Sequence, residues 1–316
     1  MKNIKSIDKS KNITKIISKS NIIKIPYKFK VSEYGRNKLK FIFICILTIL
    51  EIYINIKKKS FHIFKNLKLP PQSLLNIYIN AHKDFSTSLT SPIYKILCDE
   101  KVQLKKEYNL TIIETNKDNI LTLKRRGYGE NSKIHYIWKL YKEGKLDSKY
   151  VGFVHYRRIF SFKDNIPNID EIFKNYDVIL KRRTYFKCSI RQHYNKIHIP
   201  HFLNESVDII RENYPEYYQF AERALRKKWG NFRNIFIMKK KDFIKWGDFV
   251  FGVLFEFDRK YNLTTDEDIR NLIIKEVKYK RLNVYYQSRL QGFLIERISN
   301  IFYRRHFRKV YEISTI

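Results

Sequence analysis

Three cysteines in 316 residues, Cys45, Cys98 and Cys188, stand far apart and form no CxxC pair. That spacing offers neither a zinc site nor a disulfide framework, and it fits a reducing compartment. Acidic residues are scarce as well: 31 against 64 Lys and Arg, for a formal net charge of +33. Such an excess implies attraction to a polyanion, whether nucleic acid, anionic lipid or a phosphate-bearing substrate. The competing explanation is compositional. Ile, Lys, Asn, Tyr and Phe, which AT-rich codons encode, are enriched, and the lysines are spread along the chain rather than gathered on one motif. There is no helix-turn-helix signature, zinc spacing or RNP-like aromatic motif, so a nucleic-acid-binding protein has only charge in its favour and no nucleic acid is expected as partner. No repeat at a period of roughly 20–50 residues is present, which removes solenoids and propellers.

Long apolar runs are missing too. The longest, FIFICILTILEIYINI at 41–56, carries Glu51 and is flanked by Lys38, Lys40 and Lys57 to Lys59. It falls short of the roughly 20 residues of a membrane span. It lies too deep in the chain, with no small-residue cleavage site, for a secretory signal. A helix lying on or anchored in an anionic membrane surface and a helix packed on the domain are both open. Charge divides the chain at about the same place. Residues 1–75 carry 17 Lys and Arg against 3 acids, while the other 241 carry 47 against 28. The expected organisation is a basic N-terminal extension over 1–73, containing the 41–56 segment, and one folded domain over 74–316.

The domain has ample material for a core, with 44% hydrophobic and 16% aromatic residues. After Pro70 and Pro71, LLNIYIN (74–80) reads as a buried strand whose carboxyl end delivers His82, Lys83 and Asp84. Residues 91–107 read as a weak helix, NLTIIET (109–115) as a strand, and 130–141 as a helix with Ile134, Ile137, Trp138 and Tyr141 on one face. KYVGFVHYRRIF (149–160) is a strand running into a basic turn, followed by a helix near 169–175 and the strand YDVIL (176–180). Residues 205–227 are helical, restarted by Pro215. NIFIMKK (234–240) is a strand, and an aromatic helix covers 242–261. TTDEDIR (264–270) reads as a polar connection before a last amphipathic helix over 287–303. Strands alternating with helices predict an α/β fold with ligands at the carboxyl ends of the strands. The aromatic run Phe249, Phe251, Phe255 and Phe257 reads as core or as a membrane-facing patch.

Several of these segments together resemble the bacterial capsular-polysaccharide and exopolysaccharide glycosyltransferases. The matching pieces are IYINAHKDF (77–85), GENSKIHYIWK (129–139), YVGFVHYRRIF (150–160), YDVIL (176–180), HYNKIH (193–198), NYPEYYQF (213–220), NIFIMKK (234–240) and QSRLQGFLIERI (287–298). HYRR and GFLIER are the most specific. The resemblance spans about 74–305 and implies a glycosyltransferase A-like fold, a Rossmann-like sheet that binds a nucleotide sugar, flanked by helices. It implies a hexosyltransferase that moves a sugar from a UDP-linked donor onto a glycan or lipid-linked glycan during surface or exopolysaccharide synthesis. The natural setting is cytoplasmic, at or peripheral to a membrane. Two alternatives stand beside it: a non-catalytic membrane-associated scaffold on the same fold, which the 116–133 loop permits because Asp118 and Asn119 run into ILTLKRRG where the family often has an Asp-Asn-x-Gly-Asp stretch, and the nucleic-acid binder.

Glycosyl transfer must stabilise a departing diphosphate and ionise an acceptor hydroxyl. Where A-type enzymes often carry a metal-binding Asp-x-Asp, the YVGFV strand ends in His155, Tyr156, Arg157 and Arg158. Guanidinium forks can take over part of a metal's electrostatic role, so Arg157 and Arg158 are expected to clamp the diphosphate. No cofactor is certain, and Mn²⁺ or Mg²⁺ is an open alternative. Strand alternation would send the two arginines to opposite sides unless the turn begins there. His82, Lys83, Asp84 and Tyr156 complete the expected donor set, although Asp84 can equally cap a following helix. His155, Glu130 and Glu296 are the candidate catalytic groups. Glu130 opens a helix, whose dipole would lower its pKa. Glu296 is read as a buried acid partnered by Arg289 or as a surface ion pair. His198, Asn234 and Arg289 are the candidates for sugar or acceptor contact.

Overall fold

The computed structural model describes residues 74–99, 110–115, 119–277 and 282–316. The 1–73 extension and its 41–56 segment lie outside the described residues. Among those described, no helix is long and apolar enough to cross a membrane.

A seven-stranded sheet organises the domain. Its strands are β1 (Leu75–Asn80), β2 (Tyr94–Asp99), β3 (Thr111–Thr115), β4 (Tyr150–His155), β5 (Val178–Lys181), β8 (Phe236–Lys239) and β9 (Val310–Ile313). Two short strands between them, β6 (Thr184–Tyr185) and β7 (Trp229–Gly230), pair as a separate ribbon. The order across the sheet is β3-β2-β1-β4-β8-β5-β9. Every strand is parallel to β1 except β8, which runs antiparallel to both β4 and β5. The parallel strands are near-continuous apolar runs because both faces of the sheet are covered. All six residues of β1 are buried.

The same property explains one difference from the sequence reading. Residues 91–107 were expected to be helical, yet Tyr94–Asp99 is β2, in register with β1 from Ile77↔Tyr94 onward. A short, doubly buried apolar run has no alternation to separate it from helical spacing. The reverse difference occurs at TTDEDIR, where a helix begins. There Asp268 Oδ2 accepts from the Thr264 and Thr265 backbone N–H groups at 2.9 and 2.8 Å, and the helix runs Asp266–Val277. Strand β9 near the C-terminus was not anticipated.

The helices, in chain order, are α1 (Arg125–Tyr128), α2 (Asn131–Lys142), α3 (Ile169–Asn175), α4 (Ile190–Ile197), α5 (Pro200–Asn213) and α6 (Pro215–Leu225). They are followed by α7 (Lys240–Lys260), α8 (Asp266–Val277), α9 (Val284–Gln287) and α10 (Leu290–His306). On one face of the sheet Tyr78, Phe153, Phe236 and Met238 meet α7 and α10 in the larger core. On the other, Ile77, Ile79, Val154 and Ile237 meet α3 and the loops before β2 and after β4. Phe249, Phe251 and Phe257 are buried in the larger core, so the aromatic run is interior. Ile134, Ile137 and Tyr141 are buried as their spacing predicts. Trp138 lies against Gly247, where a Cβ would come within 2.0 Å of its ring. Helix α10 was expected to be amphipathic but is buried on most sides, its polar Gln291, Arg297, Ser299 and Asn300 included, which makes it the axis of the helical layer.

A candidate active site at the carboxyl ends of the strands

Strand β4 stops at His155. The Arg158 N–H donates to the His155 carbonyl at 2.7 Å and the His155 N–H donates back at 3.2 Å, closing a tight turn. The alternation of the strand therefore ends before the arginines, and Arg157 and Arg158 line the same cleft. Across from them the chain passes from α1 to α2 through Gly129, at φ +58° and ψ −132°, a region that only glycine occupies readily. This turn delivers Glu130, whose side chain makes no capping bond to α2 and is available to the cleft. The approach to β8 supplies the third wall. Because β8 is antiparallel, its first residues lie beside the end of β4, with Phe153 opposite Phe236. Arg233 and Asn234, immediately before it, adopt φ values of +77° and +48°. Two consecutive left-handed non-glycine residues are costly, and such strain gathers at functional sites. Here it is held by Glu296 Oε1, which accepts the Arg233 N–H at 3.0 Å, and by the Asn234 Nδ2–H donated to Asn131 Oδ1 at 2.8 Å.

The cleft has two chambers. One, of about 550 Å³, lies at the exits of β1, β2 and β4 and is lined by Asn80, His82, Asp99, Arg125, Arg126 and Lys133. The other, of about 370 Å³, lies towards β8 and α10 and is lined by Arg158, His198, Arg233, Asn234, Phe293, Glu296 and Arg297. Gly129, Glu130, His155, Arg157 and Arg289 line both, so the chambers meet at these residues. Nine of the twelve side chains expected at the site converge here: His82, Glu130, His155, Arg157, Arg158, His198, Asn234, Arg289 and Glu296. Tyr156 is buried beneath, its ring 4.9 Å from that of His82. Lys83 and Asp84 lie outside both linings, and β2 rather than a helix is the next element after Asp84.

The electrostatics correct two expectations. Glu130 was expected to have a lowered pKa at its helix start. Burial, with the Glu296 carboxylate as second cause, instead pushes it up to about 7, against the pull of Lys133, Arg289 and the Asn234 amide. Desolvation and a like charge outweigh the helix terminus. Glu296 pairs with Arg297 at 3.0 Å rather than with Arg289. Burial and the surrounding cations hold His155 down to about 3, so its imidazole is neutral. Its Nδ1 accepts the Arg157 N–H at 3.2 Å, which leaves the proton on Nε2 and makes the ring a hydrogen-bond donor to the cleft rather than a base. His198 is likewise held down to about 3, by burial first. Gln287 donates its Nε2–H to the Ile197 carbonyl at 2.8 Å, so its Oε1 accepts from His198 Nδ1 at 3.1 Å and the lone pair lies on Nε2.

Side chains not anticipated complete the walls. Asp99 ends β2, the strand misread as a helix. It binds Lys133 at 3.2 Å, Arg125 at 3.7 Å and the Thr115 hydroxyl at 3.1 Å. Among the described residues, Asn80 Oδ1, buried in the wall of the larger chamber, has no hydrogen-bond partner. Arg297 was legible only as the neighbour of Glu296 in GFLIER. Beneath the Gly129 turn, Asp258 accepts from Lys124, from the Tyr128 hydroxyl at 2.8 Å and from Gln291 Nε2 at 2.7 Å, tying α1, α7 and α10 together. Among the described residues no group of three His, Cys, Asp or Glu comes together as a metal site, and the cleft has cations around its two glutamates. The residues present therefore do not form a protein-only metal cage.

A family model described as a domain of unknown function, DUF4422, matches residues 76–308. The chain belongs to the DUF4422 family. Its matched segment contains every residue named in the cleft. No curated protein matches the chain. Among solved structures, this DUF4422 chain is similar to the apo form of the bifunctional glycosyltransferase WbbM. The identity is 21% and the TM-score 0.56, over 77% of this chain and 45% of that one. The likeness is one of fold, and the chain spans less than half of that protein's length. Core-mannan synthase A of Aspergillus fumigatus, in its Mn/GDP form, aligns at 11% identity over 80% of this chain and 77% of that one, with a TM-score of 0.38. The mannosyltransferase Ktr4p of S. cerevisiae aligns at 11% identity over 80% and 74%, with a TM-score of 0.36. The expected α/β, glycosyltransferase A-like class is the fold of this DUF4422 domain.

Proposed function

We propose that this chain is a glycosyltransferase, moving a hexose from a UDP-linked donor to a hydroxyl of a glycan or lipid-linked glycan in the building of a surface polysaccharide. The observation that carries the reading is the meeting of two cation-lined chambers at one carboxyl group with a pKa of about 7. A general base works best when its pKa lies near the operating pH. The larger chamber, at the strand exits where doubly wound sheets take nucleotides, receives the nucleoside, with Asn80 Oδ1 as a free acceptor for a base or ribose donor. The diphosphate lies at the junction against Arg157 and Arg289, which line both chambers. The His155 Nε2–H adds a neutral donor.

The acceptor hydroxyl enters from the smaller chamber. Glu130 takes its proton as the acceptor oxygen bonds to the anomeric carbon and the bond from that carbon to the diphosphate oxygen breaks. The nucleoside diphosphate leaves with its new charge met by the guanidinium groups. Residues 74–316 are the transfer unit on this reading, and the basic 1–73 segment brings it to an anionic membrane surface at the cytoplasmic side.

The test is binding of UDP-, GDP- and dTDP-sugars to the full chain, with and without Mn²⁺, alongside Arg157→Ala. Selective binding that falls about tenfold or more in the variant supports the reading. Binding that needs Mn²⁺ and ignores Arg157 keeps the transferase and removes the arginine clamp. A folded chain that binds no donor refutes the transferase and favours a scaffold.

A further inference from the structure

The smaller chamber carries more positive charge than a donor diphosphate at the junction can use. Arg157 and Arg289 line both chambers, whereas Arg158, Arg233 and Arg297 line only the smaller one. Among the described residues Arg158 and Arg233 have no carboxylate within ion-pair distance, and they press on each other: burial and the Arg233 charge are the two largest causes lowering the Arg158 pKa. Arg297 is held by Glu296 through Nη1, but its Nε, buried in the chamber wall, has no hydrogen-bond partner among the described residues. The backbone strain at Arg233 and Asn234 sustains this arrangement, because it sets Arg233 at the mouth of β8 in the chamber lining.

Aromatic surface accompanies the charge. Phe293 and Tyr286 line the chamber beside His198, whose ring lies 4.0 Å from that of Phe293. Aromatic faces suit the apolar face of a pyranose. A neutral sugar would fill that surface but would displace water from guanidinium groups and leave their charge uncompensated, which is unfavourable. A phosphate or carboxylate meets the forked donors directly.

We infer that the smaller chamber takes an acceptor sugar bearing an acidic group, a phosphate or a carboxylate, close to the hydroxyl that is glycosylated. The inference rests on the transferase reading for the word acceptor, and on the unpaired arginines for the acidic group. Arg158 and Arg233 grip the acid, Phe293 and Tyr286 carry the ring, and the hydroxyl is directed to Glu130.

The experiment titrates the full chain with glucose 6-phosphate, glucuronate and methyl glucoside, each with and without saturating UDP, and repeats the series in Arg233→Gln and Arg233→Lys. Arg233 is exposed and its backbone bond to Glu296 is unaffected by either change, so both variants are expected to fold, with thermal melts as the check. At least one acidic sugar is expected to bind about tenfold or more tightly than methyl glucoside. Arg233→Gln is expected to abolish most of that preference and Arg233→Lys to restore part of it, while UDP affinity stays within about twofold. Whichever acidic sugar binds identifies the source of the charge. Equal binding of neutral and acidic sugars overturns the inference, as does an unchanged preference in Arg233→Gln. A parallel loss of UDP affinity in that variant overturns it too, because Arg233 would then belong to the donor. If UDP fails to bind the wild-type chain while an Arg233-dependent acidic sugar binds, the transferase reading falls and the anion site stands.

Discussion

Replacing Glu296 with Gln is expected to shift the pH dependence of catalysis through a residue it does not touch covalently. On the proposed reading Glu130 is the base; it is protonated below about 7 and ionised above it, so kcat/KM should rise with pH through that value. The distance from the usual 4.5 to about 7 corresponds to roughly 3 kcal/mol in favour of the neutral carboxyl. Burial is the larger cause and survives the substitution, whereas the Glu296 charge does not. Only the part due to the Glu296 charge is therefore removable, and the acid limb should fall by about one pH unit. Loss of Glu296 also frees the Arg297 charge, which acts in the same direction. The assay is nucleoside diphosphate release, followed over roughly pH 5 to 9. A second readout needs no turnover. Because the folded-state pKa of this acid is raised, its ionisation destabilises the fold progressively as pH climbs from 4.5 to about 7. Glu130→Gln should thus be nearly neutral at acid pH and more stable than wild type by up to roughly 3 kcal/mol at pH 8. A limb that stays in place in Glu296→Gln, together with no pH-dependent gain in Glu130→Gln, would refute the reasoning.

Two further outcomes follow from the walls of the cleft. Gly129→Ala places a Cβ on a backbone at φ +58° and ψ −132°, so we expect a cost of about 1–3 kcal/mol in thermal or urea melts and a loss of activity larger than the loss of donor affinity, since Glu130 is displaced. Asp258→Ala leaves Lys124 buried without its charge partner and the Tyr128 hydroxyl and Gln291 amide without their acceptor. A destabilisation of about 3–5 kcal/mol is expected, visible as a fall in Tm of roughly 10 °C, and a change of less than a degree would show that the network is dispensable.

Which parts were readable from the residues depends on whether the deciding interaction was local. β1, β4 and β8 were recognised because each is an apolar run flanked by polar residues, and the flanks pointed to His82, His155 and Arg157 at the ends of β1 and β4 and to Asn234 before β8. The misread β2 shows the limit. Its apolar run is decided by pairing with β1, and with it went Asp99 at the strand's end. At α8 the local signal was present, in Thr264 and Thr265 followed by the acids Asp266, Glu267 and Asp268, where Asp268 closes the first turn and is held down to about 2 by those bonds. Glu130 was found by its position, but its pKa was assigned the wrong direction. A helix dipole is visible in a sequence, whereas burial beside a glutamate 166 positions away is not. Arg233 was missed for a related reason, since nothing in FRNIF announces two left-handed residues.

The reversed strand β8 has one more consequence, for how such a protein can change. The parallel strands present only their exits to the cleft: those of β1 and β2 wall the larger chamber, that of β5 the smaller, and that of β4 both. β8 alone presents its beginning there, and the last residues of its lead-in, Phe232 to Asn234, border the smaller chamber and not the larger. On the proposed reading, part of acceptor choice is carried by a stretch of chain that donor choice does not share. A graft confined to residues 232–234 would then alter the grip on the acceptor while the sugar supply stays the same.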